Sequence, residues 1–172
     1  MIEIVRTRRS TRSFTKEPVA QQDIDLLAEA LLRAPTSRNL KPWSFLVIDD
    51  RELLERLSAA KEHGSAFLKG APLGIVVCAD PARSDVWVED CSIAAIMVQL
   101  VAQSLGLGSC WIQIRERRHD ASGSAEEYIR QTLGIPADIK VACVVAVGHP
   151  AEKRQPVPAS ELDYQKVKRN RW

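Results

Sequence analysis

Apolar positions fall into two patterns along the chain: stretches at helical spacing and short continuous runs. Residues 20–33 carry Ile24, Leu27, Ala28 and Leu31 at helical spacing, and Pro35 closes the pattern, which predicts a helix. Residues 43–48 (WSFLVI) form a short apolar run rich in strand formers. Asp50 can cap a following helix that carries Leu53, Leu54 and Leu57 and stops near Gly64. Residues 73–79 (LGIVVCA) predict a second, buried strand ended by Asp80 and Pro81. Residues 86–105 predict the longest helix, apolar nearly all round and so expected between layers or subunits, with Gly106 ending it. Strands follow at 109–114 and 141–147. Between them, residues 124–133 predict a helix whose Ser124 and Glu127 have the spacing of a capping box. The order of elements, taken alone, allows a doubly wound sheet.

The 172 residues fit one domain, spanning 1–172, that can bury a core without staples. The tail from Ala151 has little apolar surface and ends KVKRNRW, so it is expected to lie on something else. At 45% hydrophobic and 27% charged the composition is that of a globular domain, and a net charge of +2 gives no case for a nucleic-acid or membrane partner. The longest apolar stretch is interrupted by Gln99, Gln103 and Ser104 and is too short and polar to span a bilayer. Met-Ile-Glu-Ile at the start lacks the pattern of a signal peptide. Cys78, Cys91, Cys110 and Cys143 form no CxxC pair; three of them, Cys78, Cys110 and Cys143, lie in apolar stretches where a free thiol serves as a small buried hydrophobe, and a reducing cytoplasm is the simplest compartment.

Four stretches could carry chemistry. RTRRSTRSF (residues 6–14) packs Arg6, Arg8, Arg9 and Arg12 among hydroxyls. Guanidinium forks match phosphate oxygens, although a solvated basic face is the plainer reading. If this stretch were helical, Arg8 and Arg12 would share a face, and so would Arg9 and Ser13. APTSRNLKPW (residues 34–43) is longer than a plain connection needs and dense in polar turn formers. GLGSCWIQIR (residues 106–115) and GHPAEKR (residues 148–154) are weak alone. No His, Cys or acidic spacing suits a metal, no GxSxG elbow offers a nucleophile, and no GxGxxG or GxxxxGK[ST] marks a nucleotide loop. Any enzyme here would borrow its reactive group from a cofactor.

In order, the four stretches resemble the FMN-dependent nitroreductase family. Arg8, Arg9, Ser10, Arg12 and Phe14 supply a pattern like RRSxRxF. Ala34, Pro35, Thr36, Ser37, Asn39, Pro42 and Trp43 supply one like APSxxNxQPW. A long helix ending in GLG, a strand like SCWI and a GxP turn before a basic residue complete the likeness, over roughly residues 4–154. The resemblance implies an α+β fold, a mostly antiparallel sheet flanked by helices, with the long helix at the interface of a homodimer. It implies that the tail, residues 151–172, packs on the partner subunit. It also implies FMN as cofactor. Arg8 and Ser10 would hold the phosphate and ribityl end with Arg9 nearby, and Lys153 or Arg154 would be a further phosphate cation. Arg12 would face the pyrimidine edge. Pro35, Thr36, Ser37 and Asn39 would reach the flavin of the other subunit, and backbone groups of Gln113 and Ile114 would approach the central ring. The chain departs from the family's usual residues at Lys41, where Gln is usual, and at Thr36, where Ser is frequent; it is also short for the family.

The implied activity is ping-pong transfer of electrons from NADH or NADPH, through flavin, to a nitroaromatic, quinone or similar small acceptor. No side chain need act as acid or base, and Arg12 would act electrostatically. Charge-assisted bonds worth roughly 1.5–3 kcal/mol each give roughly 5–10 kcal/mol gross for three or four around a phosphate. Micromolar to nanomolar affinity needs about 8–12 kcal/mol, so the ring must be buried as well. Two other readings remain open: an FMN-binding storage or sensing module without turnover, and a basic surface for an acidic partner.

Overall fold

The computed structural model describes residues 1–172. Helices α1 (Ile2–Thr7) and α2 (Gln21–Leu32) precede strand β1 (Trp43–Ile48). Then come α3 (Arg51–Ser58), β2 (Leu73–Ala79), α4 (Trp87–Ser104), β3 (Gly108–Gln113), α5 (Ala125–Leu133) and β4 (Lys140–Gly148). The strands form one sheet in the order β1-β2-β4-β3, and every pairing is antiparallel. The sheet is therefore not doubly wound: helices between strands permit crossovers of either kind, and only the pairing decides. The fold is α+β, as the resemblance implied.

Alternation along the strands builds two cores. Leu73, Ile75, Val77 and Ala79 of β2 face α2 and α4, together with Val145 and Val147 of β4. Val76, Cys78, Val144 and Ala146 face α3 and α5. Opposite residues 77–78 the register of β4 skips Ala142, because Val77 pairs with Cys143 and Cys78 with Val141. The Ala142 carbonyl at this bulge accepts from both Ile114 (3.2 Å) and Arg115 (3.1 Å), which bends the chain away from the sheet just past β3.

The helix ends follow local chemistry. Asp50 caps α3, its carboxylate accepting from Leu53 N–H at 2.8 Å. That helix stops at Ser58, short of the predicted end near Gly64. Ser65 Oγ donates to the Ser58 carbonyl (2.8 Å), so a side chain rather than another helical turn satisfies it. Ser124 caps α5 from Glu127 N–H (3.1 Å), but the Glu127 carboxylate accepts from Gln131, so the predicted box is half formed. Helix α4 is buried on one face only. Cys91, Ala94, Ala95, Val98 and Ala102 are buried, whereas Ile93 and Ile96 are exposed. Helix α1 buries nothing, and residues 151–172 are exposed throughout. No helix is long and apolar enough to cross a membrane.

Candidate functional site

Strand β3 lies at a sheet edge, and the N-terminal segment runs beside it. Ser10 bridges Ser109 in parallel, and Thr11 N–H donates to the Ser109 carbonyl at 2.9 Å. Further along, Thr15 N–H donates to His149 O (2.9 Å) and Ala151 N–H to Ser13 O (3.0 Å). The chain leaving β4 is thereby stitched to residues 13–15. Gly108 makes the fit possible: a Cβ there would stand 2.5 Å from Thr11 Oγ1 and 2.7 Å from Thr11 Cβ.

The segment is extended, not helical, since α1 ends at Thr7 and Arg8 has φ −61°, ψ 132°. The helical pairing of Arg8 with Arg12 and of Arg9 with Ser13 is therefore replaced by alternation. Arg8, Ser10 and Arg12 lie on the Cys110 side. Arg9 and Thr11 line a cleft of about 370 Å³ with Gln103, Gly106, Lys153 and Arg154. The Arg9 guanidinium donates to the Gln155 carbonyl and ties the two ends of the chain together.

Cys110 reports the local field. Burial pushes its thiol up, while Arg12, the nearby Ser10 side chain, Arg8 and Arg154 all pull it back. Three guanidinium groups thus act on one uncharged thiol. No carboxylate pairs with Arg8 or Arg12, and Arg154 has only Glu152, at 3.2 Å. Arg12 also sits 5.9 Å from the Phe67 ring centroid. Both C-terminal cations line the Arg9 cleft, and Arg154 also acts on Cys110.

The loop 34–43 is built at the other end of the sheet, where Trp43 pairs with Ala79 and Ala79 with Lys140. Asp90, buried in the first turn of α4, anchors it by accepting from Ser37 N–H (2.9 Å) and from Ser84 Oγ (3.0 Å). Thr36 Oγ1 accepts from Lys41 N–H (3.0 Å), and Arg38 pairs with Asp85. Arg38, Asn39 and Lys41 hold left-handed φ of 52°, 54° and 48°. That is a strained backbone for residues with a side chain. Pro35 and Asn39 are exposed, and Thr36 and Ser37 half-buried. Asp90 was not singled out from the sequence; its signal was an acid in the first turn of an apolar helix, a position that usually serves the helix dipole.

The structure brings together Arg8, Ser10, Arg12 and Arg154, with Arg9 and Lys153 on the adjoining side, and leaves Pro35, Thr36, Ser37 and Asn39 apart. Gly108 pairs with Gly148 at the arginine end of the sheet. At 3.3 Å per residue the nine residues of β4 put the loop roughly 26 Å away. Gln113 and Ile114 lie between. Gln113 is half-buried, accepting from Trp111 Nε1 (3.0 Å) and donating to Arg115 O (2.9 Å). Ile114 is taken up internally: its side chain is in the core, its N–H goes to Ala142, and its carbonyl accepts from Arg117 N–H at 3.0 Å.

Fold and site together define an α+β protein with an arginine-rich edge on an antiparallel sheet. Residues 5–64 and 59–149 match the nitroreductase family, and the chain belongs to that family. An FMN-dependent nitroreductase from Clostridium difficile R20291 superposes with a TM-score of 0.98 at 43% identity, over 100% of both chains. An Archaeoglobus fulgidus protein, provisionally named NADH dehydrogenase/NAD(P)H nitroreductase, is 36% identical over 99% of this chain and 98% of its own. FMN reductase [NAD(P)H] of Bacillus subtilis is 27% identical over 97% of this chain and 74% of its own.

Proposed function

We propose that this protein is an FMN-dependent oxidoreductase that takes electrons from NADH or NADPH and passes them to a nitroaromatic, quinone or similar small acceptor. The observation that carries the reading is the convergence of Arg8, Ser10, Arg12 and Arg154 beside β3, where Arg8 and Arg12 have no carboxylate partner and Arg154 has only Glu152. Such a set fits the phosphate of FMN, because it supplies forked donors with few carboxylates to compete for them. Named relatives that reduce flavin or use NAD(P)H support the same reading.

Bound FMN would supply the chemistry, accepting hydride from the nicotinamide and releasing electrons to the acceptor in alternate half-reactions. The protein's residues bind and orient. Arg8, Ser10 and Arg154 would hold the phosphate end, with Arg9 and Lys153 closing the adjoining cleft. Arg12 would stand at the ring edge that gains negative charge, stabilising it without transferring a proton. Gln113, fixed by two side-chain hydrogen bonds, would align backbone beside the ring.

The distance between the arginine cluster and the loop 34–43 supports a homodimer. One chain cannot bring both to a single flavin, whereas a twofold partner can offer its own loop to this chain's arginines. Pro35, Thr36, Ser37 and Asn39 would then act across the interface. The exposed apolar residues agree. Met1 with Ile2 and Val5 of α1, Ile93 and Ile96 on α4, and Val157, Leu162, Tyr164, Val167 and Trp172 on the tail are all exposed in the protomer. The tail 151–172 would lie on the partner. The unpaired thiols suit a reducing cytoplasm.

The test is anaerobic stopped-flow reduction of the FMN-loaded protein by NADH and NADPH. Wild type should bleach. Arg12→Ala should keep its flavin and bleach about 10- to 100-fold more slowly. Retained flavin that never bleaches would instead identify a storage or sensing module. No retained flavin, with salt-sensitive binding to an acidic partner, would leave the arginines as a basic surface.

A further inference from the structure

Arg12 has a backbone that is held and a side chain that is nearly free. Just before it Thr11 N–H donates to Ser109 O (2.9 Å), and just after it Thr15 N–H donates to His149 O (2.9 Å). Its Cα is therefore fixed against the sheet edge. The residue is exposed, and its guanidinium enters no hydrogen bond or ion pair within the chain. Acids of the adjoining segments are engaged elsewhere: Glu17 lies 3.9 Å from His149, and Glu152 lies 3.2 Å from Arg154. Glu62, in the turn after α3, is exposed and forms no ion pair. Arg9, by contrast, has the Gln155 carbonyl. An arginine without such a partner samples many rotamers, and its charge is spread over the volume they sweep.

One aromatic ring limits that sweep. Arg12 Cζ stands over the Phe67 ring, 5.9 Å from its centroid, where the negative face of the ring attracts a cation. Phe67 is itself well anchored. It is half-buried in a short 3-10 helix, Ala66–Gly70. Leu68 of that helix, 1% exposed, is set in the core with Leu54 and Leu57, and Phe67 packs against the same cluster. Leu68 N–H donates to Ser65 O (2.9 Å), and Ala71 N–H donates to Leu68 O (3.0 Å). Ser65 Oγ donates to Ser58 O (2.8 Å), which ties the segment to the end of α3. The ring is thus a platform built by one part of the chain for a cation presented by another, and it loses little further freedom when the guanidinium settles on it.

We infer that Phe67 is a positioning residue for the proposed reaction: its ring face holds the Arg12 guanidinium at the flavin edge that gains negative charge. This rests on the flavin reading proposed above and deepens it. A cation held in one place stabilises the reduced ring more than one spread over many rotamers, because nothing has to reorganise when the charge arrives. Phe67 therefore raises the potential of the bound flavin through Arg12, without taking part in any step itself.

The experiment compares wild type, Phe67→Leu, Phe67→Tyr, Arg12→Ala and the double variant Phe67→Leu with Arg12→Ala. The readouts are the midpoint potential of bound FMN, the rate of its anaerobic reduction by NADH, and the NMR shift of Arg12 Nε–H in the full chain before FMN is added. Phe67→Leu should slow reduction about two- to fivefold. It should move the potential about 10–20 mV to the negative, which is that change converted at about 30 mV per tenfold for two electrons. It should also remove an upfield ring-current shift of the Arg12 resonance. Phe67→Tyr, which keeps the ring face, should restore all three. In the Arg12→Ala background Phe67→Leu should change neither rate nor potential. Equal effects with and without Arg12 overturn the proposal, since the ring would then act on the flavin directly. An unmoved potential overturns it too, because a plain packing defect weakens oxidised and reduced flavin alike. Failure of the flavin reading itself looks different: wild type would retain no flavin, while the ring-current shift would still report the contact.

Discussion

Cys110 tolerates the nearby guanidinium groups because a buried thiol stays neutral and asks nothing of them. The other three thiols are deeper and carry a consequence for stability. Burial, and then neighbouring Glu126, push Cys78 up to about 12. Burial, with Cys78 and Asp90 nearby, does the same for Cys91, and Cys143 is raised well above its ordinary value. In the unfolded chain these groups ionise near their ordinary value of 9.0. Raised folded values mean that the stabilisation is whole below pH 9 and drains away between there and about 12, as the unfolded state sheds protons first. Urea unfolding at about pH 8 and about pH 10.5 should show the loss, and Cys78→Ala should make it shallower. An unchanged slope in that variant would mean that other groups dominate the alkaline limb. At this scale the sequence displayed the arginines plainly, since their density alone asks for an anion. Which of them share a side was not legible, because helix and extended chain pair different residues.

Elements were easier to read than their assembly. The strands and the longer helices stand within a residue or two of their predicted bounds, because apolar runs and caps act locally. Helix α1 was missed: six residues with no buried side chain leave no periodic face to detect. The resemblance implied an antiparallel sheet, but the strand order β1-β2-β4-β3 escaped the sequence because each strand pair competes on similar apolar runs. The contact that sets the arginines is between Gly108 on β3 and the extended N-terminal segment. Gly108→Ala should therefore do more than shift a strand. Its methyl meets the β-branched Thr11 on rigid backbone, and relief requires moving the segment that presents Arg8, Ser10 and Arg12. The expected cost is about 1–3 kcal/mol by denaturant unfolding, together with weaker FMN retention. A stability loss with the FMN affinity intact would show that the segment does not position the phosphate ligands. The loop 34–43 is a second positioning device, strained at three residues and clamped by one buried acid. Asp90→Asn keeps the shape but removes the charge that receives Ser37 N–H and Ser84 Oγ. Proteolysis within the loop should then quicken while α4 stays protected; equal protection in both proteins would assign the clamp to other contacts.

At the scale of the whole molecule the two halves of the candidate site lie at opposite ends of one sheet, which makes subunit exchange a direct assay of how the site is shared. One chain carries Arg8→Glu and Arg12→Glu; the other has Thr36, Ser37, Arg38 and Asn39 all changed to Gly. Each variant alone should form dimers with both sites damaged and should hold little FMN. In a mixed dimer with a shared site, one site inherits both lesions and the other inherits neither. Random pairing makes half the dimers mixed, so about a quarter of wild-type flavin binding should return on mixing. If instead each flavin were held by a single chain, every site in the mixture would keep one lesion and mixing would restore nothing. The recovery counts sites rather than measuring their strength, so partial weakening by either set of changes does not blur the distinction. A positive result also bears on the exposed surfaces of α1, α4 and the tail. Those surfaces must then lie where the two chains meet, because only a partner placed along α4 can carry its loop from one end of its own sheet to the arginine end of the other.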